Sequence, residues 1–178
     1  IWKLDKYREH TGYVPQDVFL FSDTIENNIS FGVKEFKSKE REKERITESA
    51  LDAGVLEDIK GFEHGFETLL GERGVNLSGG QKQRISIARA LIREPELLIL
   101  DDCLSAVDVI TEKHILGRLK KGNDARSTLV VSHRISTIKD ADLILVIEEG
   151  QIVERGTHQE LIKTGGLYAE MDKKQESS

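Results

Sequence analysis

Four consecutive apolar residues, Leu97-Leu98-Ile99-Leu100, run directly into two carboxylates, Asp101 and Asp102. A strand that is apolar on both faces must be covered on both faces, which puts it at the centre of a parallel sheet. Leu129-Val130-Val131 and Leu143-Ile144-Leu145-Val146-Ile147 read as a second and a third buried strand. Gly12-Tyr13-Val14-Pro15 reads as a shorter strand that ends at proline. Helical patterns separate these runs, so the expected class is α/β with a mostly parallel sheet. Such sheets bind ligands beyond the carboxyl ends of their strands. Gln16, the Asp101/Asp102 pair and His133 all follow strands at positions of that kind.

The intervening segments carry helix signals. Asp23, with Glu26 three residues on, resembles a capping box that opens a short helix through Ile29. Residues 34–53 are the most charged stretch, with opposite charges at i,i+3 and i,i+4, as on a solvated helix. A short helix is expected over 56–60. Another follows Ser78-Gly79-Gly80-Gln81 over 82–92, where Ile85, Ala88, Ala90, Leu91 and Ile92 form a broad apolar side. Residues 111–121 and 157–163 also read as helical. Glu149-Gly150 is a turn signal leading into a returning strand, and the tail from Lys173 is expected to fray.

Composition narrows the function. At 178 residues and 38% hydrophobic content, the chain can bury a sizeable core. A net charge of -6 argues against a general nucleic-acid binder, whose basic surplus releases counterions from phosphate. The single cysteine, Cys103, rules out an internal disulfide framework and fits a reducing compartment. No apolar run approaches the ~20 residues needed to span a bilayer, and the polar start reads as no secretory signal. The first residue is not methionine, so the sequence reads as a piece of a longer chain.

Two features point to nucleotide chemistry. Asp101 at the end of a buried strand is where P-loop enzymes hold Mg²⁺, although strands also end in aspartate simply to cap the next turn. Ser78-Gly79-Gly80-Gln81 opens a helix with small residues, so backbone N–H groups and the helix dipole can face a phosphate. A plain serine cap with flexible glycines has the same letters. The order of five motifs separates these alternatives. Leu77-Ser78-Gly79-Gly80-Gln81 resembles the signature motif of ABC ATPases, Gln16 their Q-loop, and Leu97 to Asp101 their Walker B strand. Ser105-Ala106-Val107-Asp108 resembles the D-loop, and Ser132-His133-Arg134 the switch-histidine loop. Gly71-Glu72-Arg73-Gly74 is similar to the X-loop of the exporter branch.

The resemblance implies a P-loop NTPase-like ABC ATPase core that carries a helical subdomain at about 30–92. The core would comprise 1–29 and 93–172, with a frayed tail at 173–178. It implies ATP and Mg²⁺ as cofactors, a position at the cytoplasmic face of the cell membrane, and two partners. One is a transmembrane domain, expected to be fused upstream; the other is a second ABC ATPase domain, expected to belong to a different subunit. Asp101 would hold Mg²⁺ through water, and Gln16 would contact that ion or its water. His133 would meet the γ-phosphate and position the attacking water. Ser78, Gly79, Gly80 and Gln81 would face ATP bound by the other domain. Ser105 and Asp108 would lie at the interface between the two domains, and Glu72 and Arg73 near the membrane domain.

The sequence departs from the family pattern twice. No Gly-x-x-x-x-Gly-Lys-[Ser/Thr] loop occurs in it. That loop cradles phosphate and lies upstream of the Q-loop in the family. Trp2 and Tyr7 sit too late to replace the upstream aromatic that stacks on adenine. The expectation is therefore a domain lacking the strand and helix of that loop, with an apolar sheet face laid bare and no tight ATP binding or hydrolysis by the chain alone. Second, the residue after Walker B is Asp102 where the family usually has glutamate, the presumed general base. Aspartate is one methylene shorter, and reach comes before pKa. This resembles the degenerate half of heterodimeric multidrug and lipid exporters. A regulatory nucleotide-binding half with negligible hydrolysis shares the same features. A soluble ABC ATPase acting on nucleic acid or the ribosome fits less well, because the short span from Gln16 to Ser78 leaves no room for a long coiled coil.

Overall fold

A computed structural model describes residues 3–122 and 126–177. Trp2 and the last residue of the 173–178 tail, Ser178, lie outside the described residues. The chain forms two compact units, Ile1–Val131 and Ser132–Ser178.

The first unit is built on a parallel three-stranded sheet in the order β1 (Thr11–Val14), β2 (Leu97–Asp101), β3 (Ser127–Val131). β2 is the central strand, as its apolar run predicts, with Val14 opposite Leu100 and Val131 opposite Asp101. α1 (Leu4–Glu9) leads into β1. Between β1 and β2 lie α2 (Ile25–Ser30), α3 (Lys39–Asp52), α4 (Leu56–Gly61) and α5 (Gly79–Leu91). α6 (Val109–Gly122) connects β2 to β3. One continuous core joins Val14, Leu98 and Leu100 of the sheet to Ile85 and Ala88 of α5, Ile25 and Ile29 of α2, and Ile46 and Ala50 of α3. The charged α3 is a solvated helix as read, with Arg41 paired to Glu44 at 2.6 Å across i,i+3.

The start of α2 differs from the sequence expectation. Its cap is Thr24, whose side chain accepts from the Asn27 backbone N–H, and not Asp23 paired with Glu26. Asp23 instead accepts from the Thr24 N–H and the Asn27 side chain, which bracket the same turn. Two adjacent cap-forming residues compete here, and the second one takes the first-turn N–H.

One strand expectation changes, and the hairpin expectation at Glu149-Gly150 holds. β3 was expected to be buried, yet Leu129 is 50% and Val131 49% exposed. Apolar letters report the capacity for burial, but among the described residues β3 has a sheet neighbour on one side alone. The third apolar run forms β4 (Ile144–Glu148) in the second unit, and it does not join the parallel sheet. It pairs antiparallel with β5 (Gln151–Gly156). The turn Glu149-Gly150 has positive φ at both residues, 49° and 77°, the conformation that returns a strand at once as a two-residue hairpin.

The second unit also holds α7 (Ile135–Ile138), α8 (His158–Thr164) and α9 (Leu167–Glu176). Its core is Ile135, Ile144, Val146, Leu161 and Tyr168. α9 carries helix through Glu176 into the stretch expected to fray. Gln175 anchors it there, donating to the His133 carbonyl at 2.7 Å and accepting from the Ile135 N–H at 2.9 Å.

Candidate nucleotide site and its signature helix

The first group of site residues gathers at the carboxyl ends of β1 and β2. Pro15 ends β1, and the chain then presents Gln16, whose side-chain nitrogen donates to Asp102 Oδ2 at 3.4 Å. Tyr13 alternates onto the same face of the sheet as Asp101, and its hydroxyl donates to Asp101 Oδ2 at 3.0 Å. That bond to a carboxylate raises the Tyr13 phenol above its ordinary value, since losing the proton would set two anions together. Asp102 adopts a left-handed backbone with φ 45°, which aspartate tolerates better than most residues. Its N–H donates to the Val131 carbonyl at 2.9 Å, which ties the turn after β2 to the end of β3.

The second group is the start of α5. Ser78 caps the helix with a reciprocal box: its hydroxyl accepts from the Gln81 N–H, and the Gln81 side-chain oxygen accepts from the Ser78 N–H at 3.0 Å. The helix therefore begins at Gly79, three residues earlier than the apolar pattern indicates. The N–H groups of Gly79 and Gly80 belong to the first turn, which has no partners in the helix ladder. Ser78 and Gly79 are exposed, while Gly80 and Gln81 are half-buried.

The segment 105–108, which resembles a D-loop, closes against this helix. A Cβ on Gly80 would stand 2.9 Å from the Ala106 carbonyl oxygen, so only glycine allows the approach. The Ala106 N–H donates to Gln83 Oε1 at 3.3 Å, and the Ser105 hydroxyl donates to the Asp102 carbonyl at 2.9 Å. Gly80, Ala106, Ser105 and Asp102 thus form one chain of contacts linking the strand-end group to the signature helix. Asp108 stays exposed and caps α6, accepting from the Ile110 and Thr111 N–H groups at 3.1 and 3.0 Å. Those bonds, first of all from Thr111, lower its pKa.

Glu72 and Arg73 are exposed in a tight 3-10 turn, Glu72–Gly74, with Arg73 at φ 52°. Gly74 in that turn lies against Leu20, whose chain neighbours Phe19 and Phe21 are exposed with Phe31. Sequence reading missed the organiser of this aromatic surface, Arg89 of α5. Its guanidinium reaches the Phe19 carbonyl, the Asn28 carbonyl and Asn28 Oδ1 at 2.7–2.8 Å, and lies over the Phe21 and Phe31 rings. Burial lowers its pKa to about 10. Asn28 is fully buried and locks the loop further through bonds with the Phe21 N–H and carbonyl. Asn28 between Ile25 and Ile29 on a short helix was the available signal, because a polar residue on an apolar face needs partners.

His133 belongs to the second unit, where it is exposed and its carbonyl is held by Gln175. The structure thus brings together Gln16, Asp101, Asp102, Ser105 and the signature residues within the first unit.

The donor set fits a hard cation. Two carboxylates after β2 and a primary amide after β1, at the same end of the sheet, supply the oxygen ligands that Mg²⁺ takes. The first turn of α5 offers N–H groups and a hydroxyl, which suit phosphate.

The family profile described as ABC transporter matches residues 2–105. Curated relatives match nearly the whole chain. ATP-binding cassette sub-family B member 6 of Xenopus tropicalis is 47% identical over 173 residues, covering 97% of this chain and 20% of the relative. The probable multidrug resistance ABC transporter ATP-binding/permease protein YheI of Bacillus subtilis (strain 168) is 47% identical over 173 residues, covering 97% of this chain and 29% of the relative. The ATP-dependent lipid A-core flippase of Pasteurella multocida (strain Pm70) is 46% identical over 170 residues, covering 96% and 28%. Among solved structures, a bacterial Atm1-family ABC exporter with ATP bound superimposes with a TM-score of 0.88 at 41% identity, covering 94% of this chain and 29% of that one. The chain spans less than a third of the length of these relatives. It belongs to the ABC transporter family and has the fold of the exporter ATP-binding domain.

Proposed function

We propose that this chain is the ATP-binding part of an ABC exporter, where it couples ATP binding and hydrolysis to export of a substrate across the membrane. The observation that carries this reading is the convergence of Gln16, Asp101 and Asp102 at one end of the parallel sheet, joined through Ser105 and Ala106 to the signature helix. Asp101 and Gln16 would hold Mg²⁺, and His133 would meet the γ-phosphate. Ser78, Gly79 and Gly80 would offer a hydroxyl and first-turn N–H groups to ATP held by a second ABC domain, with Ser105 and Asp108 along that interface. The exposed Phe19, Phe21 and Phe31 beside the Glu72-Arg73 turn suit an amphipathic helix of the membrane domain. Without a phosphate-cradling loop, the chain alone is expected neither to bind ATP tightly nor to hydrolyse it.

A second reading rests on Asp102. Its side chain is one methylene shorter than the glutamate the family usually has, so it reaches less far toward an attacking water, which favours a degenerate, regulatory site in this half and turnover at the partner's site. Two variants in the exporter carrying this chain test both readings. Ser78→Ala should lower ATP turnover, because it strips the hydroxyl offered to the partner's nucleotide. Asp102→Glu should raise hydrolysis at this chain's own site. Unchanged turnover in Ser78→Ala would count against the exporter reading, and no gain in Asp102→Glu against the degenerate one.

A further inference from the structure

Gln81 is the member of the signature that ought to be free to touch a nucleotide, yet both ends of its amide are already engaged. Its oxygen accepts from the Ser78 N–H at 3.0 Å, and its nitrogen donates to Asp58 Oδ1 of α4 at 2.9 Å. Asp58 is in turn gripped by Arg84, with Nη1 to Oδ2 at 2.8 Å and Nη2 to Oδ1 at 3.4 Å. Arg84 also donates to the Gly80 carbonyl at 3.2 Å and to the Gly54 carbonyl, at the end of α3, at 2.6 Å. The Arg84 and Asp58 side chains are only 13% and 27% exposed, so water screens this pair less than an open surface pair.

We propose that Asp58 and Arg84 are positioning residues for the signature motif, and that Gln81 acts through them as a strut and not as a nucleotide ligand. The inference rests on the proposed reading of α5 as the helix offered to a partner's ATP. Asp58 fixes the Gln81 amide, and the Gln81 amide fixes the Ser78 backbone. Arg84 fixes the Gly80 carbonyl from the following turn. Together they set where the Ser78 hydroxyl and the Gly79 and Gly80 N–H groups point. The charges matter as much as the shape. A lone carboxylate beside the first turn of α5 would favour the helix dipole but repel an incoming phosphate. Arg84 cancels that charge and leaves the donors facing outward.

The test has two arms. In this chain alone, Asp58→Ala and Arg84→Lys should speed amide hydrogen exchange at Gly79 to Lys82 selectively, with β2 amides unchanged. Equal acceleration everywhere would mean a general loss of stability and overturn the proposal, and so would no acceleration. In the exporter, Asp58→Ala should cut turnover by up to about a hundred-fold, the loss that a misplacement of about 1 Å can cause. ATP affinity in the open state should hold. A cycle of Asp58→Ala with Gln81→Ala should be non-additive, with the double variant no worse than the worse single. Multiplying effects would make Gln81 an independent contact and overturn the strut. Asp58→Asn keeps an acceptor for Gln81 and should recover part of the loss. Ser78→Ala separates the two ideas. If it leaves turnover intact, the reading of α5 fails. If it abolishes turnover while Asp58→Ala does nothing, the positioning role alone fails.

Discussion

Neighbouring glycines at the start of α5 should respond to alanine with opposite signs. A Cβ on Gly80 would meet the Ala106 carbonyl oxygen at 2.9 Å, closer than real Cβ atoms come to backbone. The Ala106 segment is poorly placed to retreat. Its N–H is bonded to Gln83, Ser105 is bonded to the Asp102 carbonyl, and Cys103, Leu104 and Val107 around it are buried. Overpacking of this kind costs about 1–3 kcal/mol. Alanine regains at most about 1 kcal/mol of helix propensity, and less in a first turn, so Gly80→Ala should lose about 1–2 kcal/mol. At Gly79 the new Cβ would sit 3.7 Å from the Ala106 Cβ, an ordinary contact. Gly79→Ala should therefore be neutral or gain a few tenths of a kcal/mol. Urea unfolding of the three proteins, compared by midpoint at constant slope, reads both signs. If Gly80→Ala proves as stable as the wild type, the tight packing of the D-loop on the signature helix is refuted.

Two further outcomes follow from other contacts. Arg89→Lys should destabilise by about 1–3 kcal/mol, because an ammonium cannot serve the Phe19 and Asn28 acceptors together and leaves a buried acceptor unpaired; thermal unfolding checks this, and a loss no larger than that of an exposed Arg→Lys change would contradict it. Asp108 has a lowered pKa in the fold, so its capping contribution is fully present above the ordinary carboxylate value of 3.8 and is lost as pH falls through the folded value. The stability gap between wild type and Asp108→Asn should hold at neutral pH and narrow in acid, and a gap independent of pH would remove the charge from the cap.

Much of the site was legible because it is written in consecutive residues. Leu97 to Asp101 specifies both a central strand and the carboxylate at its end, and Ser78 to Gln81 specifies both a helix cap and its first turn. What was not legible depends on partners far apart in the chain. Nothing in the spacing links Asp58 to Arg84, or Arg89 to Phe19, because helix packing alone brings them together. Tyr13 and Asp101 meet through the register of β1 on β2, which a single sequence does not print. The apolar run at 143–147 reads as a buried strand, and the turn signal at Glu149-Gly150 correctly marks the hairpin with 151–156, but the run is covered on one face alone. Leu143, Leu145 and Ile147 remain exposed.

Calorimetric titration of MgATP into this chain is the decisive measurement. Asp101 and Gln16 are proposed ligands for Mg²⁺ and α5 is proposed to face a partner's nucleotide, while the sequence carries no Gly-x-x-x-x-Gly-Lys-[Ser/Thr] loop to cradle phosphate. No saturable binding at micromolar ATP is expected, with or without Mg²⁺. Tight, Mg²⁺-dependent binding at one site per chain would contradict this expectation and require a phosphate cradle among the residues present.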